Sequence, residues 1–209
     1  MILALFPLER EARPFRRLCP RVRVHLTGVG VERACTAVEG ILKHSTPSLV
    51  ILAGFGGALT PASGIGDVIV AADVSDETGK IWPSHGTGLG RVLTVDRMIA
   101  SIEEKLALGR RFQATVCDME STAVAAVCAA KSIPFVAVRA ISDTATRALP
   151  AILSDLIVDG QVSPRKAAIA LLKQPWRAVE FYRLARDTRH AAKMLAHALK
   201  AIVEDPLNL

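Results

Sequence analysis

Two carboxylates stand inside apolar runs. Glu120 belongs to DMEST (Asp118–Thr122), just ahead of AVAAVCAA, and Asp143 closes PFVAVRAIS. An unpaired carboxylate is costly to bury, so a chain keeps one in such surroundings with a partner or with a task. Burial favours the protonated form of a carboxyl unless a cation offsets it, and a carboxyl that keeps its proton near neutral pH can serve as a general acid. Asp143 has that environment, with Arg139 on the same strand as its expected salt-bridge partner. Glu120 sits where an apolar helix begins. There it can accept bonds from vicinal hydroxyls, or cap the helix and complement its dipole.

The elements that must hold these two groups are legible as apolar segments. Val22–Leu26, Leu49–Ala53, Asp67–Ala72 and Phe135–Ile141 are short, continuous apolar runs bounded by Gly or Pro, as strands buried on both faces are. The opening MILALFPL has no basic leader and reads as a first buried strand. Val31–Leu42 and Met119–Lys131 read as helices, the second stopping ahead of Ile133-Pro134. Strands alternating with helices predict an α/β fold whose sheet is covered on both faces. Thr78–Gly90 is rich in Gly, Ser and Pro and reads as a loop, one that can lie over the site. Beyond Pro150, Lys166–Lys173 and Trp176–Val203 read as two helices separated by Pro175.

Composition narrows the class. With 209 residues, 51% apolar and 22% charged, one well-cored domain over 1–209 is expected, and disorder is not. No apolar run is long enough to span a bilayer. The net charge of +6 is concentrated at the two ends, from Arg10 to Arg23 and from Lys173 to Lys200. Charge of this kind favours phosphates, nucleic acid or anionic lipid, or simply a solvated surface. Neither a reading helix nor an aromatic platform accompanies it, so nucleic acid is not expected as a partner. Cys19, Cys35, Cys117 and Cys128 lack C-x-x-C spacing and read as reduced thiols of a cytoplasmic protein. No His, Cys and acid cluster suggests a metal.

Two glycine motifs follow strands. GVG at Gly28–Gly30 opens a helix, which invites a dinucleotide-binding module. Arg33 stands where the third glycine belongs, however, and Leu52-Ala53 supplies no ribose acid, so a tight strand–helix turn is the better reading. GFGGAL at Gly54–Leu59 reads as a glycine-rich turn at a strand's carboxyl end, where α/β proteins bind ligands.

GFGGAL with GDVIVA, then DMEST, then VRAISDTA, resembles in order and rough spacing the purine nucleoside phosphorylase and nucleosidase superfamily. The likeness covers roughly residues 1–146 and is nearest the methylthioadenosine/S-adenosylhomocysteine nucleosidase branch. It implies a three-layer domain with a central mixed, mostly parallel sheet, here with a helical C-terminal extension over 150–209. It also implies cleavage of a purine N-glycosidic bond, with Asp143 protonating N7 of the base, Glu120 holding the ribose hydroxyls and Met119 packing on the sugar. Glu11, in LEREARP, matches the carboxylate that positions the attacking water, with Glu9 the alternative one turn away. Met98 falls where relatives place an aromatic residue against the base. Ser142, Phe55 and Gly56 complete the implied substrate contacts.

The attacking group is water or phosphate. Phosphorylases of the superfamily carry an arginine before the glycine-rich turn and a Ser or Thr within it; Leu52 and Phe55 stand at those positions. An apolar pair cannot bind a dianion, which favours hydrolysis, while Arg10 or Arg13 keeps phosphorolysis open. No cofactor is implied, phosphate being a co-substrate in the phosphorylase case. RALPAIL and QPWRAVEFYRLARD resemble a narrower group, the hopanoid-associated phosphorylase-like proteins, implicated in bacteria in removing adenine from adenosylhopane. A bulky apolar 5′ substituent is therefore the expected substrate feature. The resemblance also implies a homo-oligomer, dimer or hexamer. Trp176, Phe181 and Tyr182, interleaved with Arg177, Arg183 and Arg186, form a basic aromatic helix suited either to an anionic membrane surface or to packing on its own domain.

Overall fold

The computed structural model describes residues 1–86, 88, 90–150, 157–158, 161–162, 165–166 and 178–205. In the first half of the chain, β1 (Ile2–Phe6) leads through α1 (Glu9–Leu18) to β2 (Arg23–Leu26), and α2 (Val31–Leu42) leads on to the long β3 (Leu49–Ala58). Four short strands follow: β4 (Val68–Val70), β5 (Asp73–Asp76), β6 (Ile81–Pro83) and β7 (Arg91–Thr94). Then come α3 (Ile102–Phe112), β8 (Val116–Asp118), α4 (Ser121–Ala130) and β9 (Phe135–Asp143). A small antiparallel pair, β10 (Ile157–Val158) with β11 (Gln161–Val162), precedes α5 (Ala178–Glu204).

The main sheet is mixed and mostly parallel. β1 lies between β2 and β3, and β3 runs parallel to β9. The last residues of β3 pair antiparallel with β8, from which parallel β7 and β5 continue, with antiparallel β6 at the edge. Strand β4 pairs antiparallel with the other side of β9. Alternate side chains of one strand serve opposite layers. Leu3 and Leu5 of β1 join α2 and α4 on one face, while Ala4 and Phe6 join α1 and α5 on the other. This is the three-layer α/β arrangement expected from the sequence. Ala191, Leu195 and Leu199, one turn apart, form the buried stripe of α5, which packs on α1 and β9. The predicted helix over Lys166–Lys173 falls almost wholly outside the described residues, and Trp176 lies outside them too.

Two expectations are corrected. GFGGA is not a turn but the second half of β3, which continues through its glycines. A side chain at Gly54 would strike Arg139, one at Gly56 would strike Val116, and one at Gly57 would come within 3.1 Å of Asp143 Oδ2. The glycines are there because buried groups crowd the strand, and strand pairing overrides their low β propensity. The Thr78–Gly90 segment carries β6, and its Ser84 and His85 bond to Ala137 and Phe135 near the start of β9. That is the opposite end of the strand from Asp143, so the described part of this segment does not cover the site.

Candidate active site

The carboxyl ends of β3, β8 and β9 open into one groove of about 1860 Å³, walled by the first turns of α1 and by α5. Glu11, Phe55, Gly56 and Met98 line it, as do Met119, Glu120, Ser142 and Asp143. Every residue singled out as catalytic or substrate-binding therefore reaches the same space.

Glu11 stands in the first turn of α1, only 3% exposed. Its Oε2 accepts from the Leu8 amide at 3.0 Å, one arm of a capping arrangement, and its Oε1 accepts from the Phe55 amide at 3.1 Å. Burial pushes its carboxyl up to about 7, although the Phe55 amide, Arg139 and Arg10 pull the other way. Glu9, the alternative, is on the outer face of the helix paired with Arg16 at 3.0 Å, so Glu11 is the residue presented to the groove.

Glu120 precedes α4 but does not cap it. Asp118 does, accepting from the Ser121 amide at 3.1 Å and the Ser121 hydroxyl at 2.5 Å. Freed from that duty, Glu120 turns back, and its Oε1 accepts from the Gly30 amide at 3.0 Å. Gly28 and Gly30 hold φ of +78° and +98°, values that glycine adopts without a Cβ penalty. The GVG turn thus aims a backbone donor at an acid 90 residues away in the chain. Burial first, then the neighbouring Asp118 charge, push Glu120 up to about 8, opposed by Arg139 and the Gly30 amide.

Arg139 is fully buried beneath Gly54 and is not the partner of Asp143. Its Nη2 is ion-paired with Asp118, donates to Ser121 Oγ at 3.1 Å and lies 3.7 Å from Glu120 Oε2. Asp143 takes its cation from another element: Lys105 of α3 reaches Oδ2 at 2.6 Å, with Ser142 Oγ 3.2 Å from Oδ1. Lys105 was missed. Its signal was its place in Ile102–Lys105–Leu108, the helical spacing of a buried stripe, where a lysine is out of place.

At the two positions where a phosphate cradle was sought, Leu52 is buried in the core and away from the groove, and Phe55 lies under the Arg10 guanidinium at 5.6 Å. Among the described residues, no group of three or more His, Cys, Asp or Glu side chains is placed to hold a metal ion.

The family model for the phosphorylase superfamily matches residues 85–173, spanning DMEST and VRAISDTA. Over that stretch the chain is similar to the phosphorylase superfamily. It is 26% identical over 152 residues to a 5′-methylthioadenosine/S-adenosylhomocysteine nucleosidase of Staphylococcus haemolyticus, covering 57% of this chain and 67% of that one. A Staphylococcus aureus protein of the same name is 25% identical over 181 residues, covering 71% and 79%. Among solved structures, the Helicobacter pylori nucleosidase bound to butyl-thio-DADMe-Immucillin-A superposes with a TM-score of 0.73 at 16% identity. The futalosine hydrolase of Helicobacter pylori also superposes at 0.73 and 16%. Each alignment covers 98% of this chain and 97% of the other. These two likenesses establish the fold.

Proposed function

We propose that the protein hydrolyses the N-glycosidic bond of an adenine nucleoside that carries a bulky apolar 5′ substituent. The observation that carries this reading is Glu11: a buried carboxyl with its acidity moved to about 7, in the same groove as Glu120 and Asp143. A general base works best when its pKa lies near the working pH, and an ionised Glu11 can take the proton of a water aimed at the anomeric carbon. Glu120 accepts from the ribose hydroxyls, and its negative field favours the cationic character that builds on the ring. Met119 packs on the sugar and Met98 on the base. Asp143 meets N7, where a proton turns the purine into a better leaving group; catalysis of that kind is typically worth about 10²–10⁴-fold. The buried Leu52 and the Arg10-capped Phe55 leave no polar cradle for phosphate on β3, which supports water as the attacking group.

The groove supports a bulky 5′ substituent. Small-ligand pockets are typically about 300–1,000 Å³, and this one is about 1860 Å³. The surplus runs between α1 and α5, past Pro14, Leu18, Phe181, Leu184 and Ala192. The apolar residues of that wall, set among Arg13, Arg17, Arg189 and Lys193, suit a hydrocarbon, and adenosylhopane is the substrate we place there. The exposed Tyr182 and Val179, beside Arg183 and Arg186 on α5, suit contact with an anionic bilayer that holds such a lipid. No helix among the described residues is long and apolar enough to cross a membrane.

The test is adenine release, followed by chromatography, from adenosine, methylthioadenosine and adenosylhopane, each with and without phosphate. The reading expects release without phosphate and the highest kcat/KM for the lipid. No adenine from any of the three would overturn it, and release only with phosphate would replace hydrolysis by phosphorolysis. Flotation with anionic vesicles at low salt tests the membrane contact, and protein left in the soluble fraction would refute it.

A further inference from the structure

The Lys105–Asp143 pair is more than the general-acid reading requires. Lys105 is fully buried behind Asp143, which lines the groove. All three hydrogens of its ammonium are used: one on Asp143 Oδ2 at 2.6 Å, one on the Thr144 carbonyl at 3.0 Å and one on the Arg147 carbonyl at 3.1 Å. Asp143 Oδ2 is thus already engaged as an acceptor, from a group that itself carries protons. The proton stands one bond away, on lysine.

We propose that Lys105 is the proton source for the leaving base and that Asp143 relays it. The inference rests on the nucleosidase reading above. As the glycosidic bond breaks, its electron pair goes to the purine, and N7 takes a proton through Asp143. The Lys105 ammonium gives one proton to Asp143 and becomes an amine. The proton that Glu11 takes from water balances the charge, and solvent later restores both groups. The surroundings of Lys105 fit both of its states. An ammonium has three donors for one carboxylate and two carbonyls. While the proton is on Asp143, the amine keeps two donors for the same two carbonyls and its lone pair accepts from the Asp143 hydroxyl. Once the proton has passed to N7, Asp143 is a carboxylate again and accepts from N7–H, until solvent returns a proton to Lys105. Cys117 on β8 also faces the pair, but burial pushes its thiol up to about 12, so it supplies neither charge nor proton. Asp118, the next acid on that strand, is occupied by Arg139.

Arginine separates a relay from a merely structural ion pair, because a guanidinium keeps the charge and the donors but does not give up its proton. Lys105→Arg is expected to lose 10²-fold or more in kcat for adenine release, with KM for methylthioadenosine within about threefold of wild type. Retention of kcat within tenfold would overturn the proposal. Should that variant not fold, Lys105→Met buries no charge and serves in its place. There Asp143 must draw each proton from solvent itself, so adenine release persists in acid and falls about tenfold per pH unit on the alkaline side relative to wild type. A Lys105→Met profile parallel to that of wild type would equally overturn it. Absence of adenine release by the wild type would instead refute the nucleosidase reading.

Discussion

Replacing Glu11 by glutamine probes the acid that the functional reading depends on most. Folded Glu11 keeps its proton up to about pH 7, whereas a free glutamate releases it near 4.5. Between those values the folded state binds the extra proton, so this residue lowers stability as pH rises through the window. A carboxyl that ionises near 7 rather than 4.5 is disfavoured as an anion by roughly 3 kcal/mol. Glutamine carries no charge to bury. It can accept from either the Leu8 or the Phe55 amide with its one oxygen, but its amide nitrogen then faces the other donor, at a cost of about 1–3 kcal/mol. That cost is the same at every pH, so the signature is the difference between two pH values. Relative to wild type, Glu11→Gln should gain about 3 kcal/mol between pH 4 and pH 8.5, read by denaturant unfolding followed by circular dichroism. In thermal melts the same gain is roughly 6–12 °C for a chain of this size. Adenine release should meanwhile fall by 10² or more. A stability difference that stays flat across the pH range would show that burial does not hold Glu11 neutral, and the general-base argument would fail with it.

Three further outcomes follow from the geometry. Gly54→Ala puts a methyl against Arg139 and 3.4 Å from Glu11 Oε2, so it should cost about 1–3 kcal/mol in chemical denaturation and lower kcat/KM together with stability. Arg139→Met strips the cation from Asp118 and Glu120 and should cost about 3–5 kcal/mol, read as loss of soluble folded protein at pH 8 with partial recovery in acid. Met98→Phe restores an aromatic face beside the base and should lower KM for adenosine several-fold with kcat little changed, in initial-rate measurements.

The sequence disclosed the site acids more readily than their partners. Glu120 and Asp143 were conspicuous because each interrupts an apolar run, and α2 was bounded correctly by its glycine turn and apolar spacing. In sequence, the three glycines after Ala53 look like a turn, and only the crowding by Arg139, Val116 and Asp143 explains why a strand needs them. Read along the strand, Arg139 is the cation nearest Asp143. Odd-numbered neighbours on a pleated strand share a face, but the bulge at Ser142 breaks that alternation, leaving Arg139 turned to Asp118. Lys105 lies 38 residues from its partner, in a helix whose other charges are ordinary surface ones, and that pairing exists only in the folded chain.

The most direct test of the central claim is the fate of the sugar. Single-turnover cleavage of methylthioadenosine in H2¹⁸O, with phosphate present at millimolar concentration, is quenched and the products are weighed by mass spectrometry. The account predicts free sugar carrying one ¹⁸O at its anomeric carbon, with no sugar phosphate, and loss of that product in Glu11→Gln. Sugar 1-phosphate without the label would contradict it.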